Sequence, residues 1–314
     1  MSYFGSVRFF KHLILTVLAI IIIFPYILAL HFFYENMELR KQADNSNEDI
    51  SCIKTFDIDE LFLKTAEASE QFSGKRKVIS SNHEIIPYQS KYDDLYVDRQ
   101  EKVEIANNKK VAYLTFDDGP SKRTLEILDI LDYYNIKATF FVTNQHDNDG
   151  LNIYKEIVSR GHTIGVHSYS HIYKEIYSSV ENYLDDFYKM YEQIYKLTGV
   201  KPDLYRFAGG SINSYNAEIY QDIIAEMTRR GFTYHDWNVI SGDTHRNVTK
   251  NTIINSIVKG IKDNNKIVIL MHDSIEKKCT SESLPEVIKI LKTNGYSFDK
   301  LDGTVKPYIF GYIE

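Results

Sequence analysis

Short apolar runs alternate with segments of helical apolar spacing over the last two thirds of this 314-residue chain. After the run at 109–116, Leu125, Leu128 and Leu131 recur at helical spacing, and a second apolar run follows at 138–142. Regular alternation of strand and helix predicts a parallel α/β sheet or barrel. The part of the chain before this region lacks the alternation, so the sequence predicts one α/β domain after an N-terminal region of another kind.

The long tyrosine-rich segment at 177–197 has its tyrosines mostly at helical spacings, which predicts packing and not sugar binding. By the same criterion, the predicted helices lie at 121–135, 154–160, 177–197, 217–230, 252–262 and 284–294.

Two acids follow the first apolar run, because Asp117 and Asp118 come directly after residues 109–116. Adjacent acids at a strand end are costly to bury unless a metal, a cation or a proton neutralises them. Neighbouring strand positions point to opposite sides, so one acid can face a metal while the other faces a substrate. The segment 115–119 alone also fits an ordinary turn, since Asp-Gly is followed by Pro120.

A pair of histidines follows another short apolar run at 163–166, and the two rings, His167 and His171, are four residues apart. This spacing puts both rings on one face of a helical turn, which is a usual way to bind a divalent cation. Together with one aspartate they would make three protein ligands and leave one position for water. That ligand set is typical of a catalytic metal site and not of a closed structural one.

Polar residues end three more apolar runs. His272 ends the run at 267–271, Asp236 stands beside the single tryptophan, Trp237, and Arg206 precedes small residues. Each alone has an ordinary structural explanation, as a core histidine, a helix cap or a surface charge. Together they lie at the carboxyl ends of successive strands, where parallel α/β sheets and barrels build their sites.

These five segments resemble the polysaccharide deacetylase family (carbohydrate esterase family 4) in order and spacing, over roughly residues 108–300. The motifs Thr-Phe-Asp-Asp-Gly and His-Ser-x-x-His carry the resemblance. It implies a distorted (β/α) barrel with fewer than eight strands and a metal-dependent hydrolase that removes acetyl groups from a polysaccharide. The expected products are acetate and a free amino sugar.

The resemblance also implies a role for each matching residue. Asp117 resembles the catalytic base, Arg206 the arginine that orients the base, and His272 the general acid. Asp236 resembles the acid that orients and tunes this histidine. The implied metal ligands are Asp118, His167 and His171. The implied oxyanion and pocket groups are the Gly209 N–H, Trp237 and Leu270.

One position departs from the family pattern, because Ala208 stands where the third motif usually has proline. Losing that proline loosens the unfolded chain, and with it the loop that carries the Gly209 N–H, an effect of about 1 kcal/mol if the backbone geometry is otherwise kept. Gly209 and Gly210 also remove the side chain that often lines the pocket there. We therefore expect a less precise oxyanion site, which lowers the rate without abolishing the chemistry.

A divalent metal is the only cofactor expected. Zinc suits two histidines and one aspartate, but cobalt, nickel or manganese could occupy the same ligands. No organic cofactor is required for this reaction.

The N-terminus predicts a membrane anchor. Residues 13–33 are almost wholly apolar and long enough to span a hydrocarbon core of ~30 Å. Arg8 and Lys11 precede the span, whereas Glu35 and Glu38 follow it, so the positive-inside rule places the N-terminus in the cytoplasm. A cleaved signal peptide is the alternative, but no Ala-x-Ala site ends the apolar stretch.

The predicted organisation has four parts: a cytoplasmic tail at 1–12, a transmembrane signal anchor at 13–33, an extracytoplasmic stalk at 34–107 and the catalytic domain at 108–314. A small folded cap on the barrel remains an alternative to the stalk. An extracytoplasmic location would permit a disulfide between the two cysteines, Cys52 and Cys279, without establishing one.

The net charge of −6 and the pI of about 6.0 argue against a nucleic-acid surface. An outward-facing, tethered deacetylase most naturally meets cell-wall peptidoglycan, so its N-acetylglucosamine residues are the expected substrate. N-acetylmuramic acid, poly-N-acetylglucosamine, chitin oligomers and O-acetylated xylan remain alternative substrates. A non-catalytic glycan-binding module remains an alternative from another class of protein. No obligate protein partner is indicated.

Overall fold

A parallel sheet with helices packed against it forms the centre of the computed structural model, which describes residues 86–103, 109–146, 148–262 and 264–310. The strands in this part of the chain are β1 (Val111–Asp117), β2 (Thr139–Thr143), β3 (Thr163–Ser168), β4 (Leu204–Tyr205), β5 (Thr233–Tyr234), β6 (Val239–Ile240), β7 (Lys266–His272) and β8 (Ser297–Asp299). The α-helices are α1 (Lys122–Tyr134), α2 (Asn148–Ser159), α3 (Tyr173–Ile176), α4 (Val180–Thr198), α5 (Tyr220–Arg229), α6 (Lys250–Gly260) and α7 (Lys278–Thr293), and a 3₁₀ helix covers Pro87–Ser90.

The sheet follows the order β5-β4-β3-β2-β1-β7-β6, and its strand pairs are parallel. β8 adds to β1 at residues 111–113, while β2 pairs with β1 at residues 115–117. Within the described residues no pairing joins β5 to β6, so the barrel is open. The predicted parallel α/β fold is confirmed. The prediction of fewer than eight strands holds for the seven-strand path but not for the whole sheet, which has eight.

The two-residue period of the strands separates two apolar clusters. On β1, Leu114 and Phe116 belong to the large core beneath the helices, whereas Val111 and Tyr113 belong to a small interior cluster. Leu204 of β4 and other residues from across the sheet join that interior cluster, so the sheet curls around it. Continuing the alternation places Asp117 on the interior face, at the carboxyl end of the apolar column.

β7 repeats this pattern beside β1. Ile267 and Ile269 pack in the outer core, and Val268 packs in the interior cluster. Leu270 and His272 therefore share the interior face with Val268. Both strands thus change from apolar to polar side chains at the same end of the barrel.

Local signals explain most helix boundaries. The side chains of Ser121 and Ser179 cap α1 and α4, and Gly199 ends α4 in the left-handed conformation. The start of α4 predicted at residue 177 was three residues early, because the cap at Ser179 makes Val180 the first residue of the helix. Conversely, α2 and α7 each begin six residues before their predicted starts, because their first turns carry polar residues without apolar spacing.

Residues 86–103 pack against α4 and α5. The Tyr92 ring stacks on Tyr188 with centroids 3.9 Å apart, and Leu95 has no exposed surface. The buried guanidinium of Arg230 donates to backbone carbonyls of this segment, including that of Tyr92 at 3.0 Å, and pairs with Glu226 at 2.7 Å. The boundary predicted at residue 108 therefore needs correction, since this end of the predicted stalk belongs to the catalytic domain.

No helix of the described ranges is long and apolar enough to cross a membrane. The predicted tail at 1–12, the anchor at 13–33, and residues 34–85 of the predicted stalk, with Cys52, lie outside those ranges. Cys279 lies near the start of α7, with its Sγ 3.6 Å from the Val248 carbonyl oxygen. The disulfide between the two cysteines stays a prediction.

Replacing Leu95 by alanine tests the packing of the N-terminal segment. Loss of a fully buried leucine should lower the free energy of unfolding by about 2–5 kcal/mol, measured by urea denaturation. Val103→Ala is the matched control, because this side chain is 61% exposed and its loss should change stability by less than about 0.5 kcal/mol. Equal stabilities of the two variants would contradict the packing.

Candidate active site

A buried ion pair lies at the carboxyl end of β1. Arg206 has no exposed surface, and its Nη1 donates to Asp117 Oδ1 at 2.9 Å and to Thr115 Oγ1 at 2.7 Å. Its Nε donates to the His235 carbonyl at 2.7 Å, and the guanidinium lies 4.4 Å from the centroid of the Phe141 ring. Because bonds to fixed groups hold the guanidinium in place, the carboxylate of Asp117 has a defined orientation.

The predicted metal ligands meet beside this pair. Asp118 Oδ1 lies 3.3 Å from Nε2 of His167 and 3.3 Å from Nε2 of His171, and the ligand atoms of all three lie within 4.8 Å of one another. Asp118 Oδ1 and His171 Nε2 are buried without a hydrogen-bond partner among the described residues. Buried polar atoms are normally paired, so these atoms fit a bound cation. Two imidazoles and one carboxylate suit zinc and leave a position for water.

The first histidine is oriented by the chain itself. Nδ1 of His167 lies 2.9 Å from the carbonyl oxygen of Arg206, which can only accept a hydrogen bond. Nδ1 therefore carries a proton, and a neutral ring presents the lone pair of Nε2 toward Asp118. Such a second contact fixes the tautomer of many metal-binding histidines.

The loop between the two histidines is not the helical turn that their spacing suggested. His167 lies in β3, whereas His171 lies beyond the strand with φ of 56°. The carboxylate of Asp186 on α4 accepts from Ser168 Oγ and Tyr169 N, and also from the next backbone N–H. Backbone N–H groups of this loop therefore donate to the Asp186 carboxylate, whereas in a helix they would donate to backbone carbonyls.

Electrostatics favour an ionised Asp118. Burial opposes ionisation, but the adjacent imidazoles of His167, His171 and His272 outweigh it and hold the pKa of Asp118 below its usual range. Asp118 also has φ of 72°, which is unfavourable for a residue with a side chain. A strained residue at this position is consistent with a functional constraint.

Asp243, and not Asp236, holds the predicted general acid. Nδ1 of His272 lies 2.8 Å from Asp243 Oδ1, and the His272 backbone N–H donates to Oδ2 of the same carboxylate at 2.8 Å. Thr280 Oγ1 donates to that Oδ2 as well. Burial lowers the pKa of His272, but the hydrogen bond and charge of Asp243 and the charges of Asp117 and Asp118 outweigh it and raise the pKa to about 9.

Asp236 does not contact His272, because the strand order separates the two residues. It follows β5, at the opposite end of the sheet path from β7, whereas Asp243 follows β6, the neighbour of β7. The Asp236 carboxylate accepts hydrogen bonds from the backbone N–H and Oγ of Ser211 and from the backbone N–H of Phe310. Its own N–H donates to the Tyr308 carbonyl at 2.8 Å. Asp236 therefore ties residues 308–310 to the loop after Arg206.

The loop predicted to hold the oxyanion is anchored by side chains. The carbonyl of Ala208 accepts from Tyr177 Oη at 2.8 Å and Asn213 Nδ2 at 3.3 Å. Gly209 and Gly210 follow with φ of 80° and 89°, values that favour glycine. Gly209 is exposed, and its N–H has no acceptor among the described residues. These anchors supply part of the rigidity that proline would give at residue 208.

The two predicted pocket residues come from different parts of the sheet, since Leu270 lies in β7 and Trp237 lies between β5 and β6. Leu270 is 8% exposed on the interior face of β7, one alternation before His272. Trp237 packs edge-on against Phe310, and its ring would lie 3.1 Å from a Cβ placed on Gly210. Both therefore line the end of the barrel where the polar residues gather.

A buried acid that sequence reasoning did not single out supports the turn after β1. Asp273 Oδ2 accepts from Thr124 Oγ1 at 2.5 Å, and a Cβ on Gly119 would lie 2.2 Å from that oxygen. Burial, together with the charges of Asp118 and Asp117, raises the pKa of Asp273 to about 7. The sequence could have indicated Asp273 as a site residue, because it directly follows His272 at the end of an apolar run.

Comparison with known proteins agrees with this geometry. A profile described as polysaccharide deacetylase matches residues 104–233. A Bacillus subtilis protein named "Putative polysaccharide deacetylase YheN" is 34% identical over 202 residues, 63% of this chain and 69% of the relative. A peptidoglycan-N-acetylglucosamine deacetylase of Bacillus cereus is 30% identical over 201 residues, 61% of this chain and 69% of the relative.

A solved structure gives the same result. The catalytic domain of peptidoglycan N-acetylglucosamine deacetylase from Eubacterium rectale superposes with a TM-score of 0.64 at 36% identity, covering 68% of this chain and 98% of that domain. The open, parallel α/β barrel and the polar site at its carboxyl end are together typical of a hydrolase. Among such hydrolases, the chain belongs to the polysaccharide deacetylase family.

Removing one ligand tests the metal cluster. His171→Ala should weaken zinc binding by at least about 10-fold, because even contacts outside the ligand set are worth 10–100-fold. Isothermal titration of the metal-free protein with zinc measures the affinity. His146→Ala is the control, because this histidine is exposed and lies outside the cluster. Equal affinities of the two variants would exclude the cluster as the zinc site.

Proposed function

We propose that this protein removes acetyl groups from N-acetylglucosamine residues of peptidoglycan and releases acetate. One observation carries the proposal: Asp117 and His272 are register partners on the paired strands β1 and β7. An oriented carboxylate and a raised-pKa histidine therefore face one reaction space, with the metal cluster directly after the carboxylate. Amide hydrolysis needs such a base and acid, one to accept a proton and one to return it.

The base is Asp117. Arg206 fixes its Oδ1 at 2.9 Å, so the other carboxylate oxygen is left to accept the proton of an attacking water. The chemistry that a divalent cation supplies when held by Asp118, His167 and His171 is activation of that water and polarisation of the acetamide carbonyl. The exposed Gly209 N–H would donate to the oxygen of the tetrahedral intermediate.

The acid is His272. Asp243 binds Nδ1 at 2.8 Å, so Nε2 is the nitrogen that can deliver a proton. With its pKa raised to about 9, the ring is an imidazolium near neutral pH. It would protonate the amine as the C–N bond breaks, because a departing amine needs a proton to leave. The products are acetate and a glucosamine residue.

Two lines of reasoning support peptidoglycan as the polymer. The relatives from Bacillus cereus and Eubacterium rectale are peptidoglycan N-acetylglucosamine deacetylases. The apolar segment at 13–33, with basic residues before it and acids after it, supports a membrane-anchored enzyme that faces the wall. Free amines in the wall would be cationic near neutral pH and would hinder lysozyme-type hydrolases.

Acetate release from peptidoglycan tests the proposed reaction. The purified full-length protein with added zinc should release acetate, and Asp117→Asn should reduce turnover by about 10²–10⁴-fold because it removes the base. The same variant should still bind zinc, since Asp117 is not among the clustered ligands. His146→Ala should retain turnover. A wild-type protein that binds zinc but releases no acetate from any acetylated glycan would overturn the proposal.

The pH dependence of kcat/KM tests the role of His272. The acid form exists below its folded-state pKa, so activity should fall as pH rises through about 9. Asp243→Asn removes the charge that raises this pKa, while burial continues to lower it, so the alkaline limb should move to lower pH. An unchanged limb in Asp243→Asn would assign that limb to another group.

A further inference from the structure

A pocket of about 400 Å³ opens beside the candidate active site. Its aromatic lining comes from Tyr173, Tyr177 and Tyr215, and Ser178, Ser214 and Glu218 contribute polar groups. A volume of this order and a mixed aromatic and polar lining are typical of small-ligand sites.

An aromatic row connects this pocket to the metal cluster. The ring of Tyr173 packs edge-on against His171, with centroids 5.2 Å apart, and edge-on against Tyr215, with centroids 5.4 Å apart. Tyr215 is 48% exposed, so its ring is accessible from solvent. The ring of Tyr173 therefore lies between the predicted metal ligand His171 and the exposed ring of Tyr215.

The same row borders the predicted oxyanion group. A Cβ on Gly209 would lie 3.0 Å from the ring of Tyr173. The tyrosine thus occupies the space beside Gly209, where the family pattern usually supplies a side chain from the loop itself. In this chain the aromatic wall comes instead from the segment after His171.

Tyr215 and the Gly209 loop are held by one turn. Asn213 Oδ1 accepts from the backbone N–H of Tyr215 at 2.8 Å, and its Nδ2 donates to the carbonyls of Ala208 and Gly210. Asn216, which is buried, donates to the Gly210 carbonyl as well. The backbone of Tyr215 is therefore fixed relative to the loop, and its ring rests against Tyr173.

We propose that Tyr173 and Tyr215 form a subsite for the sugar ring next to the residue that is deacetylated. This inference rests on the proposed deacetylase function. The apolar C–H face of a pyranose ring matches an aromatic wall, and its hydroxyl groups match Ser178, Ser214 and Glu218 at the rim. The subsite makes the enzyme selective for polymers, because a single sugar cannot fill both the reaction space and the pocket.

Selectivity of this kind has a kinetic signature. Binding energy from a non-reacting part of the substrate can be used to position the reacting part, so a shorter substrate loses turnover as well as affinity. The contribution of Tyr215 should therefore increase as N-acetylglucosamine oligomers become longer.

Tyr215→Ala in the full-length protein tests the subsite. We expect roughly a 10-fold loss of kcat/KM on a long oligomer and a smaller loss on the shortest oligomer that reacts. Tyr215→Phe keeps the ring and should restore activity on the long oligomer. Tyr133→Ala is the control, since this tyrosine is 83% exposed on α1 and lies outside the pocket. A loss that is independent of oligomer length, or no loss, would overturn the subsite.

A binding measurement separates the subsite from the reaction. Isothermal titration of the long oligomer into Asp117→Asn, with and without Tyr215→Ala, measures affinity without turnover. Weaker binding of the double variant supports the subsite even if the wild-type protein releases no acetate, an outcome in which only the proposed function fails. Equal binding of the two variants, with an active wild-type protein, overturns the subsite alone.

Discussion

The buried pair of Arg206 and Asp117 is the interaction on which the site depends. The guanidinium joins β1, through the carboxylate, to the backbone after β5, and the Arg206 carbonyl meets His167. Removing either partner of such a pair leaves an uncompensated buried charge, which costs about 3–5 kcal/mol. The contact that orients the proposed base therefore belongs to a set of bonds that links the ends of four strands, β1, β3, β4 and β5.

Much of this arrangement could be predicted from the sequence because parallel strands end at one edge of a sheet. Asp117, Arg206 and His272 each follow an apolar run, and the alternation along β1 and β7 places the first and last of them side by side on the interior face. The change from apolar to polar side chains along each strand is a local property. It could be recognised without knowing how the strands were ordered.

What the sequence did not indicate depends on that order. Asp236 and Asp243 are seven positions apart in similar surroundings, and only the pairing of β6 with β7 assigns the second one to His272. Asp186 lies on α4, and nothing near it in sequence indicates that its carboxylate shapes the loop before His171. A four-residue spacing is common to a helical turn and to this loop, so periodicity could not distinguish them.

The tie between Asp236 and residues 308–310 has a consequence for how the protein matures. The loop after β5 is completed by backbone groups of Tyr308 and Phe310, which are added more than seventy residues later during synthesis. Asp117, the last residue of β1, pairs early with Phe141 of β2 but gains its second neighbour, His272, only when β7 has been made. The pairing of β1 with β7 needs residues up to 272, and the tie to Asp236 needs residues up to 310. An N-terminal fragment that ends before β7 would therefore lack both contacts, however well its earlier strands had paired.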